Sequence, residues 1–142
     1  MLKFAGSIMI VAASFFLFGS KMFTAYFTYK FYETVTEVVQ KIKYETQINI
    51  PYYKVFEKIG FDREQFVKGI NGYVDKTETE KVCEFLDNLG THNSVLEQQY
   101  INYSMENFLE RKQLYYKLYS DNKKVYGICG ISVGLIIVIM FV

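Results

Sequence analysis

The chain has 142 residues, with 16 Lys+Arg against 15 Asp+Glu, a single proline and no tryptophan. That length holds at most one compact soluble domain. The near-zero net charge leaves no basic patch or stripe of the kind that nucleic-acid binding requires. Half of the composition is apolar (51%), and much of it is gathered at the two ends.

The first element is an uncharged run from Phe4 to Ser20, FAGSIMIVAASFFLFGS. At 1.5 Å per residue it reaches roughly 26 Å, near the lower limit for crossing a bilayer core of ~30 Å. Lys3 and Lys21 flank it and can snorkel outward. A cleavable leader would need small residues at its cleavage site. Phe18 and Phe23 stand two before the candidate residues Ser20 and Ala25, so the run reads as an uncleaved anchor, residues 1–21.

A helix is expected from about Met22 to Asn49. Phe27, Phe31, Val35, Val38 and Ile42 recur at spacings of three and four, which is one helical face. Glu37 and Lys41 add a surface i,i+4 pair. Pro51 ends that stretch. A short helix follows over Tyr52–Ile59, with Gly60 as its stop. Another spans Arg63–Gly69 behind the N-cap Asp62. Asn71-Gly72 reads as a turn. Thr77 and Glu80 stand at capping-box spacing and open a helix whose apolar face is Val82, Phe85, Leu86 and Leu89, ended by Gly90.

The last helix begins near Asn93 or Ser94 and meets no Gly or Pro until Gly127. Ile101, Met105, Phe108, Tyr115 and Tyr119 keep a heptad alternation interrupted by Lys112. A heptad seam of this length asks for a partner helix, and the first long helix supplies one. From Val125 to Val142 the chain is again uncharged, VYGICGISVGLIIVIMFV, with no amphipathic period, as in a membrane span. Within it Gly130 and Gly134 form G-x-x-x-G, and Gly127 lies nearby; such spacing suits close helix packing in lipid. Lys21, Lys30, Arg111, Lys112, Lys117, Lys123 and Lys124 lie between the two runs, so the middle, residues 22–124, is expected to face the cytoplasm. The predicted fold class is all-α: a membrane-rooted helical hairpin with short helices at its far end.

Little in the sequence signals chemistry. Cys83 and Cys129 fall in the charged middle and the apolar run, which suits neither a disulfide nor a metal cage. Both read as small buried hydrophobes. His92, the single histidine, lies in the turn between two helices, with no local nucleophile or carboxylate beside it. Glu45 continues the stripe of Val38 and Ile42, which predicts a half-buried or partner-contacting carboxylate. The phosphate-loop, zinc and hydrolase signatures are all lacking. No catalytic, cofactor or metal residue is therefore assigned, and no small-molecule substrate is expected. A membrane enzyme using Glu45 and His92, and a small holin-like membrane-permeabilising protein, are the competing readings.

One set of residues, taken in order, carries a likeness. Phe85-x-x-x-Leu89-Gly90-x-x-Asn93, then Gln98 and Ile101, precede a long helix that ends in an apolar run. Upstream stand Ile42-x-x-Glu45-Thr46-x-Ile48 and Pro51. This pattern resembles the stage III sporulation protein AB family. Leu86 departs from it where glycine is usual, Asn93 departs where aspartate is typical, and the stretch Gly60–Asp75 is compressed. The resemblance implies a non-enzymatic membrane component of a secretion-like channel in the mother cell of an endospore-former. It implies a cytoplasmic domain similar to those of type II secretion platform proteins. It also implies docking of the cognate sporulation AA ATPase, alongside other membrane components and lipid. The residues it brings forward for partner contact or for bracing the tip are Glu45, Leu89, Gly90, Asn93 and Gln98.

Overall fold

The computed structural model describes residues 2–46 and 51–141. Ile48 and Asn49, placed by sequence at the end of the first helix, lie outside the described residues, as does the side chain of Lys3. Among the described residues five helices follow in order: α1 (Leu2–Glu45), α2 (Tyr52–Ile59), α3 (Arg63–Lys68), α4 (Lys76–Asn88) and α5 (Ser94–Phe141). Among the described residues there is no strand. The protein is all-α, as its spacings predict.

α1 and α5 form an antiparallel hairpin. Ring pairs mark its course: Phe15 with Tyr126 (5.1 Å), Tyr26 with Tyr119 (5.2 Å) and Tyr29 with Tyr116 (5.3 Å). The Tyr26–Tyr119 and Tyr29–Tyr116 pairs, with Gly19 against the Tyr126 ring, bring Ser20 level with Val125, so the uncharged runs of both helices stop at the same height, with Lys21 beside Lys124. Both long helices are apolar enough, over Ile8–Glu45 and Ser94–Met140, to cross a membrane by length and composition. Only 11% and 0% of their most apolar windows are buried within the fold, unlike the core helix of a soluble domain.

Above that level the hairpin has a core. The buried seam of α1 runs Ala25, Thr28, Tyr32, Val35, Val39, Ile42, and that of α5 runs Glu97, Ile101, Ser104, Phe108, Tyr115. The spacings are those of a knobs-into-holes seam. The seam differs by one residue from the predicted stripe in three places. Thr28 is buried where Phe27 is half-buried. Val39 is buried where Val38 is half-buried, and Ser104 is buried where Met105 is half-buried. Both members of each pair fit a 3.6-residue period, and the partner helix decides between them. The three short helices lie against one flank of the hairpin. Val55, Val82, Phe85 and Leu86 complete the core, and Phe61 and Phe66 pack on it.

Local chemistry explains the breaks. Gly60 takes φ 68° behind α2, and the Phe61 N–H donates to the Phe56 carbonyl, closing the helix end. Asp62 caps α3 through the Glu64 and Gln65 amides. The start of α4 differs from the Thr77/Glu80 expectation: Asp75 is the cap, accepting from the Thr77 amide at 3.0 Å. The reason is tertiary. The Asp75 N–H donates to Thr28 Oγ1 on α1 (3.1 Å), which fixes the chain two residues earlier.

Candidate functional site

The residues singled out in the sequence converge on the tip, where α4 turns into α5 and α1 ends. Leu89 is extended at the end of α4, and Gly90 turns the chain at φ 83°. Asn93 caps α5, its Oδ1 accepting from the Leu96 amide at 3.0 Å and its carbonyl from the Glu97 amide at 2.8 Å.

Glu97, which no sequence motif brought forward, is the centre of the tip. Its carboxylate is 6% exposed. Oε1 accepts from the Tyr52 hydroxyl and the Gly90 N–H, each at 2.7 Å. Oε2 accepts from the His92 N–H at 3.3 Å and lies 3.0 Å from His92 Nδ1. Those four partners fill the acceptor capacity of a carboxylate. Burial disfavours its charge, but the hydrogen bonds from Gly90, Tyr52 and His92 outweigh that and hold the Glu97 carboxyl below its ordinary range. Burial, with the same carboxylate as neighbour, pushes the Tyr52 hydroxyl upward, so it stays a protonated donor. One side chain thus ties α2, the α4–α5 turn and α5 together. The signal was available in sequence: stepping four residues back from Ile101 along the seam lands on Glu97.

The remaining candidates make neighbouring ties. Gln98 Nε2 donates to Thr46 Oγ1 at 3.1 Å, joining α5 to the end of α1. Glu45 is half-buried and pairs with Lys58 of α2 at 2.6 Å. Thr46, seven residues after Val39, continues the seam's spacing toward α5, and half-buried Glu45 sits on its edge. His92 lies tilted against Tyr100 (4.9 Å between ring centres) and points its Nδ1 at Glu97. Glu45 and His92 therefore have separate partners. Around this braced turn lie exposed apolar side chains: Tyr53 (66%), Val95 (66%) and Leu96 (50%). A groove beside them is lined by Tyr52, Gly90, His92, Val95, Gln98 and Asn102.

A second polar cluster lies mid-hairpin. Glu78 of α4 is 3% exposed. It accepts a hydrogen bond from the Tyr32 hydroxyl and faces Lys81 and Arg111, each at 3.4 Å. The Tyr115 hydroxyl donates to Asp75 Oδ2 at 3.2 Å. Burial first, and Glu78 second, raise the Tyr32 hydroxyl far above its usual value.

Gly127, Gly130 and Gly134 stand apart from both clusters. A Cβ at any of them would meet nothing within 4 Å. The side of α5 turned toward α1 is instead that of Tyr126, Cys129 and Val133, so the glycine face points away from the hairpin partner. Cys83 and Cys129 are free and half-buried, not fully buried as expected.

The family model of stage III sporulation protein AB matches residues 68–142. No curated protein and no solved structure matches the chain. The matched stretch contains α4, the Phe85–Asn93 segment, Glu97, Gln98 and all of α5. It is more than half of the chain, which belongs to the stage III sporulation protein AB family.

Proposed function

We propose that this sporulation protein is a non-enzymatic membrane component of a secretion-like channel in the mother cell, and that its tip docks the cognate sporulation AA ATPase. Both apolar runs enter the membrane, and the hairpin stands on the cytoplasmic side, where the lysines and arginines between the runs place it by the charge rule for membrane orientation. The domain is of the kind found in platform proteins of type II secretion.

The observation that carries this reading is the tip itself. It lies 26 residues beyond Ser20 along α1 and 28 from Val125 along α5, about 40 Å from the level of Lys21 and Lys124 at 1.5 Å per residue. There the backbone is held by a fully engaged carboxylate, and Tyr53, Val95 and Leu96 are left facing outward. Rigid placement of exposed apolar anchors is what a protein-binding surface needs. Glu97 and Glu45 accept their hydrogen bonds from internal donors, which supports bracing over catalysis.

The test is binding of the ATPase to the full chain in lipid nanodiscs. Val95→Asp is expected to abolish saturable binding, whereas Tyr116→Asp on the hairpin flank leaves it unchanged. Equal binding by the two variants, or none by the unaltered chain, would refute docking through the tip.

A further inference from the structure

We propose that the α3–α4 loop, through Tyr73, seats on the lipid headgroup layer of the membrane that α1 and α5 enter. This rests on the membrane placement proposed above and adds a third point of contact to the two spans.

The hairpin register provides a ruler. The uncharged runs end together at Ser20 and Val125. Phe23 lies three residues past Ser20, about 4.5 Å, and Phe27 seven residues past it, about 10.5 Å. A bilayer of 40–45 Å with a core of ~30 Å has headgroup layers of roughly 5–8 Å on each side. Tyr73 is not near these residues in sequence, but the fold brings it to them. Its ring stacks on Phe27 at 5.6 Å and lies 6.3 Å from Phe23. The loop therefore descends along α1 to the height of the headgroups.

The loop is held in that position. The Asn71 carbonyl accepts from the Val74 N–H at 3.0 Å, and Asn71 Oδ1 accepts from the Tyr73 N–H at 3.1 Å. Just beyond, the Asp75 N–H is tied to Thr28. Tyr73 and Phe23 nevertheless remain 54% and 51% exposed. In water, two adjacent rings open to solvent one turn from an apolar helix end make an unfavourable surface. In the headgroup layer the same rings find the setting that Tyr favours, with an apolar face and a wet hydroxyl. Lys21, Lys123 and Lys124 ring this level, all exposed, and complement anionic headgroups; Asp121 is the opposing charge one turn above. Seating the loop fixes the tilt of the hairpin, which two helices alone leave free.

The chain has no tryptophan, so single-tryptophan variants of the full chain report depth directly. Each is reconstituted in phosphatidylcholine–phosphatidylglycerol vesicles with or without lipid brominated near the top of its acyl chains. Tyr73→Trp is expected to lose emission to the brominated lipid about as strongly as Phe23→Trp, while Tyr53→Trp at the tip loses none. Gly72→Trp is a second loop probe, since a Cβ there meets nothing within 4 Å. Phe16→Trp in the first run tests the membrane placement independently. If Phe16→Trp is quenched but neither loop probe is, the loop contact is refuted and the spans stand. If Phe16→Trp is itself unquenched, the membrane placement fails and the proposal goes with it.

Discussion

Gly90→Ala tests the tip most sharply, because two separate costs meet at one atom. Gly90 holds φ 83°, and a left-handed conformation costs an L-residue roughly 1–2 kcal/mol. The new Cβ would also stand 3.1 Å from Tyr52 Cδ2 and 3.3 Å from Cε2. The ring cannot simply withdraw. Its hydroxyl is bonded to Glu97 Oε1, the same oxygen that accepts the Gly90 N–H. Relief of the clash must stretch one of those bonds, and a hydrogen bond to a charged group contributes about 1.5–3 kcal/mol. Allowing for partial relaxation, the expected local cost is about 2–4 kcal/mol, or roughly 30- to 900-fold at 1.36 kcal/mol per decade. Native-state hydrogen exchange of the full chain reads this as faster exchange of amides over residues 88–98. Gly60→Ala is the internal control. It has φ 68° but nothing within 4 Å of its Cβ, so it should show the conformational cost alone, roughly 5- to 30-fold at its own helix end. If Gly90→Ala accelerates exchange no more than Gly60→Ala does, Tyr52 is not held by Glu97 and the bracing of the tip is refuted.

Further outcomes follow from three carboxylates. The folded-state value of Glu97 is depressed, so its contribution is present above the ordinary carboxylate range and is lost as pH falls through the depressed value. Protection of the tip amides should therefore fall on acidification. Glu97→Gln should cost about 1–3 kcal/mol at neutral pH and remove the acid dependence; a dependence that survives in Glu97→Gln assigns it elsewhere. Tyr32→Phe keeps the ring but deprives buried Glu78 of its closest donor, with an expected loss of about 1–3 kcal/mol in thermal or chemical unfolding. Replacing Tyr32, Glu78 and Arg111 together by Phe, Leu and Leu should recover that loss, since a well-packed apolar set often equals a buried ionic one; a triple variant weaker than Tyr32→Phe would contradict this. Lys58→Ala should move stability by no more than about 1 kcal/mol, because its pair with Glu45 is solvated on the lysine side.

The architecture was legible because its physics is local and periodic. Two uncharged ends, a lone proline, Gly60, the Asp62 cap and a heptad alternation are enough to draw a hairpin with short helices on it. Positions one residue apart were harder. Val38 and Val39, or Ser104 and Met105, both satisfy a helical period, and the facing helix selects between them. Buried polar groups were harder still, since tracing a stripe by apolar residues steps over Thr28, Tyr32, Glu78 and Glu97. The stripe of α1 was followed past its apolar end to Glu45, yet the same step upstream from Ile101, or from Val82, would have reached Glu97 and Glu78. Thr77 lost the capping role to Asp75 for a reason no local pattern contains, the bond to Thr28 on another helix. The glycines of the last run carry a packing motif, but a motif does not say which way its face turns.

Those skipped polar residues have a common effect on the hairpin. An apolar heptad seam alone tolerates a slip of one repeat, because Ile101, Phe108 and Tyr115 would exchange places with little change in burial. Such a slip moves one leg past the other by about 10.5 Å. It would separate the ends of the two uncharged runs and unmake the tip. The polar groups forbid it. Glu78 and Asp75 both belong to α4 and its cap, and each reaches a tyrosine or threonine of α1 and a residue of α5. Thr46 and Gln98 join the same two legs at the tip. A slipped hairpin would part buried Glu78 from its donors on one leg, which costs several kcal/mol. A single polar position in a coiled-coil seam fixes register in the same way, at some cost in stability. In this chain the register so fixed is what sets Ser20 level with Val125 and Gly90 against Tyr52. The tip geometry and the alignment of the apolar ends are therefore one property, held from the middle of the hairpin.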